Sequence, residues 1–380
     1  MHARIGEALV QLKSYQDSNV YVSFSGGKDS LVALDLALRA GISKAVFCDT
    51  TIEFKETSHY IKRVEDFYGI TIERVKAPLT FFELVKKIGF PSRKSKWCCE
   101  VFKFAPQASF ALKNKLDGYI TGLRHEESNH RRSYQLVDAN PHVPTMQINP
   151  LIEWTQDEIW NYINAENLPI NPLYEYFERI GCWVCPNRTS QEWMQITRHF
   201  PDLYAELINS LNGYADKLAI ADKETFVKEM KWTSWANPIK KVIAGSYSRR
   251  NVGDEKETID IRFSTDADHQ IEKIARIITI LTSRYTIEEL ATHKVMRIRT
   301  YGVDMQKLNM LIEKAINCQS CGACLALCPS QALKLDEGSL TVDGSRCVHC
   351  HDCVSTRVLR MSCVIRNFSQ KRASLVRLCG

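Results

Sequence analysis

Val20-Tyr21-Val22-Ser23-Phe24 runs directly into Ser25-Gly26-Gly27-Lys28-Asp29-Ser30, and that loop into the apolar stretch LVALDLALRA, Leu31–Ala40. The first five residues are strand-like and the last ten are helical in pattern, so the order is strand, glycine loop, helix. The loop has the chemistry of an anion cradle. Gly26 and Gly27 let backbone amides approach phosphate oxygens, Lys28 adds a point charge, and Ser25 and Ser30 add hydroxyls. The helix that follows directs its positive end at the same spot. The spacing is not GxxxxGK[ST], so γ-phosphate hydrolysis of the usual kind is not expected.

The pattern repeats outward from this unit. Strand-like runs recur at Lys44–Thr50, Ile70–Ala77, Gly118–Leu123 and Thr145–Ile152, separated by helical stretches. About five strands alternating with helices predict an α/β fold with a doubly wound, mostly parallel sheet, whose ligands lie at the strand carboxyl ends. From Thr155 to about Ala221 the sequence reads as helical, and Gly245–Asp268 is polar, charged and glycine-punctuated, the best candidate linker, with a boundary near Ser246. A small α+β unit follows, with strands at Ile259–Phe263 and Val295–Thr300. The expected domains are 1–200, a nucleotide-binding domain; 201–310, a helical extension, linker and small α+β unit; and 311–380, a cysteine-rich domain.

The 380 residues exceed one typical core. Apolar residues at 44% and charged residues at 25%, with no signal peptide and no long apolar run, predict a cytoplasmic protein without a membrane span. A net charge of +6 is compatible with anionic ligands and decides nothing alone.

Fourteen cysteines are many for such a chain, and twelve fall into two sets. Cys98, Cys99, Cys182 and Cys185 form one, with thiolate count equally suited to zinc or a [4Fe–4S] cluster. In the other, Cys318, Cys321, Cys324 and Cys328, followed by Pro329, match the bacterial ferredoxin run, whose fourth cysteine serves the neighbouring cluster. Cys347, Cys350 and Cys353 repeat the first three ligands, but the next cysteine, Cys363, lacks a following proline. The assignment is Cys318, Cys321, Cys324 and Cys363 for one cluster, and Cys347, Cys350, Cys353 and Cys328 for the other. If Cys363 is not a ligand, the first cluster is completed by Cys379 or has three irons. His349 and His351 read as exposed loop residues.

The hexapeptide SGGKDS resembles the loop of the N-type ATP pyrophosphatases, which cut ATP between the α and β phosphates. Together with Leu123-Arg124, Glu126-Glu127-Ser128, Arg131-Arg132, Asn149–Ile163, Leu168–Phe177 and Ile180–Pro186, the chain from Tyr21 to Asn187 resembles the phosphoadenosine phosphosulfate reductase family. Asp49, Glu56 and Thr57 match the family's stretch after the second strand, which implies that Asp49 lies near the adenosine; a capping aspartate and a solvated helix start are the plain alternatives. Arg124 follows an apolar run and is expected in the crevice, where guanidinium forks bind oxyanions. Arg131 and Arg132 are equally consistent with an exposed basic face. The CC…CxxC arrangement resembles the cluster site of the family's adenylyl-sulfate branch. That implies a [4Fe–4S] cluster near the nucleotide, its charge offset by Lys94, Lys96 and Arg188.

Reductases of this family usually alter the loop and use a cysteine in a Glu-Cys-Gly-x-His segment; here the loop is intact and no such segment occurs in the sequence. The expectation is therefore ATP with Mg2+ at Ser25–Ser30 and Asp49, with Lys28, Asp29 and Arg124 catalytic, adenylylating an acceptor for sulfur insertion. Three [4Fe–4S] clusters are expected in all. The resemblance extends to the ATP pyrophosphatase components of DNA phosphorothioation systems, which implies a cysteine desulfurase as sulfur donor, DNA-associated partner proteins and an external electron donor. The alternative is an adenylyl-sulfate or phosphoadenylyl-sulfate reductase fed by its own ferredoxin unit.

Overall fold

The computed structural model describes residues 2–140, 142–234, 247–251, 258–263, 267–282, 284–290, 295–300, 305–316, 318, 320–336, 339–351 and 353. The chain divides into two compact units, Met1–Phe82 with Pro91–Trp235, and Glu83–Phe90 with Ala236–Gly380. The helices Pro201–Lys217 and Lys223–Lys228 belong to the first unit, so the division does not fall at residue 200 as expected but after Trp235.

The first unit is built on a six-stranded sheet. β1 (Val20–Ser23), β2 (Ala45–Asp49), β3 (Ile72–Lys76), β4 (Gly118–Ile120) and β6 (Met146–Ile148) run parallel in the order β3-β2-β1-β4-β6, and β5 (Val137–Ala139) closes the edge antiparallel. The chain leaves β1 for β2 and β3 on one side and returns to β4 on the other. The carboxyl ends of β1 and β4 therefore flank the switch point, where a crevice opens in such sheets.

The helix after the loop, α2 (Lys28–Arg39), is apolar on nearly every side because it is enclosed: Leu31, Val32, Ala33, Leu34, Leu36 and Ala37 are each no more than 1% exposed. They share a core with Val20 and Val22 of β1, Leu12 of α1 (His2–Lys13), and Tyr162 and Ile163. Each such Leu or Val contributes about 1.5–3 kcal/mol on burial. Asp35, buried on the same helix, is satisfied by the hydroxyls of Tyr162 at 2.5 Å and Tyr68 at 2.9 Å and by Arg39 at 2.8 Å. A buried carboxylate left without such partners would be costly. With α2 fixed at this depth, its N-terminus is fixed too.

The second unit holds an antiparallel sheet, β7 (Tyr247–Asn251), β8 (Thr258–Phe263), β9 (Tyr285–Leu290) and β10 (Val295–Thr300), in the order β7-β8-β10-β9, and a hairpin, β11 (Leu333–Asp336) with β12 (Ser339–Val342). Gly245–Asp268, expected as a linker, supplies β7 and β8. It reads as a linker because a strand with one face on a core needs apolar residues only at alternate positions, here the fully buried Ile259 and Ile261. Ile298, Leu308, Leu311 and Ile312 share one core with Leu333, Leu340, Cys324 and Cys353. The cysteine-rich segment is thus not a separate body beginning at residue 311. Among the described residues, no helix is long and apolar enough to cross a membrane.

Candidate functional site

The loop between β1 and α2 lies at the switch point. Gly26 adopts φ +77°, a left-handed conformation that suits glycine, and a side chain there would press on Thr57 Cγ2 at 3.0 Å. Ser30 Oγ closes the loop on itself, accepting from Ser25 N at 3.1 Å, donating to Gly27 O at 2.8 Å and lying 3.1 Å from Ser25 Oγ. Lys28 and Arg124 converge on Asp29: Lys28 Nζ lies 2.9 Å from one carboxylate oxygen and Arg124 Nε 2.6 Å from the other. Arg124 is 2% exposed and also bonds Glu126 at 2.9 Å and the Trp154 carbonyl at 3.2 Å. Charge-assisted bonds of this kind are short and strong, so the two cations and the carboxylate are held in register before any ligand arrives.

Of the other arginines, Arg131 pairs with Glu127, and its pKa is pulled down to about 10 by burial and the nearby Arg179 charge. Arg132 is exposed. Asp49 ends β2, where its Oδ1 accepts the amide of Thr51 at 2.8 Å and steadies that residue at φ 63°. Glu56 and the buried Thr57 start the following helix, Lys55–Tyr68.

Three residues of the cradle escape a reading of the sequence by motif. Gly122, just past β4, is one: a Cβ there would stand 2.6 Å from the carbonyl carbon of Asp29, so only glycine lets β4 approach the first turn of α2. Asn171 Nδ2 donates to Gly26 O at 3.1 Å, and Tyr174 Oη accepts the Lys28 amide at 2.7 Å. Both lie in Leu168–Phe177, which is quoted above for its resemblance without a role for either residue.

The first cysteine set gathers beside the same strand ends. Cys98 and Cys99 sit on a helical turn that continues as one π turn, Glu100–Phe104; Cys182 and Cys185 sit on a loop tied to the β2 exit by Trp183 N to Ile52 O at 3.0 Å. Cys182 Sγ lies 3.4 Å from Thr50 Oγ1. The hydrogen bond from Cys98 to Cys99, with the lesser pull of Lys103, brings the Cys99 thiol down to about 6 against burial, while the same bond, burial and the three neighbouring thiols push Cys98 well up. Burial takes Cys182 up to about 12. The cation at the centre is Lys103, on the π turn, whose pKa is raised by Cys182, Cys99, Glu53 and Cys185 acting against burial. It was not among the expected basic residues. Lys96 acts on Cys99, Lys94 is exposed, and Arg188 is committed to the carbonyls of Gly181, Cys182 and Trp183 and to Glu192. Arg179, exposed, is near enough to act on Cys99, Tyr174 and Arg131, so its charge spans the thiols and the cradle. Four thiols with a half-buried cation among them suit an anionic thiolate cluster. Among the described residues, no group of three or more His, Cys, Asp and Glu is drawn together closely enough to hold a single metal ion.

In the second unit, Cys328, Cys347, Cys350 and Cys353 line a narrow hollow with Ala332 and Val342. Cys318, Cys321 and Cys324 act on one another nearby, with the buried Lys314 bonded to Cys324. Backbone amides donate to two of the sulfurs, Ser320 N to Cys318 Sγ at 3.4 Å and Ala332 N to Cys328 Sγ at 3.1 Å. The two runs fold alike. Ser320 and Gly322 flank Cys321 at φ 53° and 77°, and His349 and His351 flank Cys350 at φ 52° and 66°. His349 Nδ1 meets Ile280 O at 3.1 Å, and His351 Nδ1 meets Lys307 Nζ at 3.1 Å. Cys363 and Cys379 lie outside the described residues.

Residues 19–188 match the phosphoadenosine phosphosulfate reductase domain, and residues 317–356 match the 4Fe-4S dicluster domain. Adenosine 5'-phosphosulfate reductase 2 of Bacillus subtilis is 33% identical over 181 residues, which cover 46% of this chain and 74% of the reductase. The chain belongs to the phosphoadenosine phosphosulfate reductase family. An uncharacterized protein of Methanocaldococcus jannaschii is 39% identical over 221 residues, covering 56% of this chain and 45% of that protein. A second from the same organism is 31% identical over 199 residues, so the chain spans less than half of either, 45% and 48%. The crystal structure of a phosphoadenylyl-sulfate reductase from Candida auris in a phosphate complex aligns with TM-score 0.37 and 24% identity over 43% of this chain and 81% of that one. This member of the reductase family therefore carries an iron–sulfur dicluster domain after its α/β sheet.

Proposed function

We propose that this reductase-family protein binds ATP with Mg2+ at Ser25–Ser30, cuts it between the α and β phosphates, and adenylylates an acceptor into which sulfur is then inserted. The observation that carries this reading is the intact cradle, with Lys28, Asp29 and the buried Arg124 joined in one charge network at the N-terminus of α2. An acceptor oxygen attacks the α-phosphorus, the bond to the bridging oxygen breaks, and pyrophosphate leaves toward Lys28 and the helix end, which stabilise the developing charge. A sulfur nucleophile then displaces AMP from the acceptor. Cys98, Cys99, Cys182 and Cys185 are the residues that would hold a third [4Fe–4S] cluster, which supplies sulfur or electrons beside the nucleotide. Lys103 offsets its charge. The attached dicluster domain keeps a reductant at high local concentration. A DNA backbone phosphate as acceptor, with a cysteine desulfurase as donor, rests on the resemblance to phosphorothioation components.

A second reading is favoured by the similarity to relatives named adenosine 5'-phosphosulfate reductase. There, adenylyl sulfate takes up two electrons and yields sulfite and AMP, with Arg124 and Arg131 near the sulfate.

One experiment separates them. Anaerobically purified full-length chain is given ATP or adenylyl sulfate in turn, and pyrophosphate and sulfite are measured. Pyrophosphate from ATP, lost in Lys28→Ala, supports adenylylation; sulfite from adenylyl sulfate without pyrophosphate from ATP overturns it.

A further inference from the structure

Tyr174 holds the place where a phosphate would be expected. Its hydroxyl oxygen accepts the amide of Lys28, the first residue of α2, at 2.7 Å. In a loop built to offer such amides to an anion, this one is already taken by a side chain 146 residues further along the chain. The same oxygen would lie 3.4 Å from a Cβ on Gly27, an ordinary contact distance, so the phenol sits directly against the loop.

The phenol is not a chance neighbour. It stands on a short turn, Pro172–Glu175, that is capped by Asn171: Oδ1 accepts Leu173 N at 3.1 Å, and Nδ2 donates to Gly26 O at 3.1 Å. The Tyr174 ring meets Trp160 edge-on, with centroids 5.2 Å apart. Asn171 and Tyr174 thus clasp the loop from both sides, at Gly26 and at Lys28. Asp29, Arg179 and Arg124 are close enough for their charges to reach the phenol. Burial keeps it protonated, its pKa raised above the usual tyrosine value.

A hydroxyl that accepts one hydrogen bond still has its own proton to give. We infer that Tyr174 is a phosphate ligand of this site, passing the Lys28 amide's hydrogen-bonding capacity outward and donating its own proton to an oxygen of the bound pyrophosphate moiety. This rests on the ATP reading above and adds to it a specificity-determining contact. The site holds its β,γ-phosphates one hydroxyl further from the end of α2 than the loop amides alone would. AMP, which has no such phosphates, does not use the contact.

Calorimetric titration of the full-length chain with magnesium pyrophosphate, and separately with AMP, tests this in wild type and in Tyr174→Phe, which keeps the ring against Trp160. The expected result is about a tenfold loss of pyrophosphate affinity, the worth of one good hydrogen bond, with AMP affinity unchanged and the same thermal midpoint. Unchanged pyrophosphate affinity in the variant overturns the role of Tyr174. Tighter binding overturns it too, because the phenol would then be a plug that the ligand must displace. Wild type that binds no pyrophosphate at all instead sinks the ATP reading. A second variant, Asn171→Ala, releases the clasp but keeps the phenol and should cost less than Tyr174→Phe; a larger cost would assign the effect to loop shape and overturn the inference.

Discussion

Lys28 and Gly122 meet at the same point from opposite ends of the sequence scale. Lys28 is legible at once, because its loop is contiguous and each residue type has a phosphate-binding reason. Gly122 is invisible by itself; only folding brings it so close to Asp29 that an added Cβ would stand 2.6 Å from that residue's carbonyl carbon. The one available signal was its position just after an apolar run at a strand's carboxyl end, where backbone close approach is common. Gly122→Ala is expected to destabilise the first unit by about 1–3 kcal/mol, seen as a lowered midpoint in urea, because its neighbours, the Asp29 carbonyl and the Ser30 amide, are backbone and cannot swing aside. Lys28→Ala should leave that midpoint unchanged and reduce pyrophosphate release about 100-fold or more. The contrast in stability checks that one residue is structural and the other chemical. Lys103 illustrates a different blind spot. In the sequence it is one lysine among many, four positions after Cys99, and its importance arises only when the π turn and the Cys182 loop close around it.

The elements that were easiest to anticipate are those whose signals are local. Thr155 with Glu158, and Thr189 with Glu192, form capping boxes that start Gln156–Ala165 and Ser190–His199, and the T-x-x-E spacing announces both. Thr155→Ala should cost about 1 kcal/mol, measurable by chemical denaturation. The short antiparallel β5 was missed, since three residues with Val137 and Ala139 both facing out carry no apolar alternation. The tie between α3 (Lys55–Tyr68) and β3 depends on charge. Burial works against ionised Glu65, but Arg74 and the Ile72 amide outweigh it and hold the pKa below the usual carboxylate value. A folded value below the unfolded one means the tie is fully present above the unfolded pKa of about 4.3 and is lost as pH falls through the folded value. Glu65→Gln should therefore lower the denaturation midpoint near neutrality, and the gap to wild type should close below about pH 4.

For the whole molecule, the fold class and the C-terminal dicluster segment were legible, and the partition only in part. The polar, glycine-punctuated stretch that suggests a boundary near Ser246 does mark the neighbourhood of the division after Trp235, whereas the core shared by Ile298, Leu308, Leu333 and Cys324 required the structure. The reading of three clusters predicts about twelve iron atoms per chain after anaerobic reconstitution. Cys182→Ser should lower this to about eight while leaving the dicluster signal in electron paramagnetic resonance intact. Zinc bound in place of the missing iron would overturn it.

The exposure of Cys350 also has a consequence for handling the protein in air. Cys350 is exposed, whereas Cys324 is buried and Cys321 is partly covered. A cluster held by Cys328, Cys347, Cys350 and Cys353, as the ferredoxin-like spacing implies, would present an exposed sulfur at Cys350 and is expected to be sensitive to dioxygen. Material handled briefly in oxygen should lose that centre while the rest of the molecule keeps its shape.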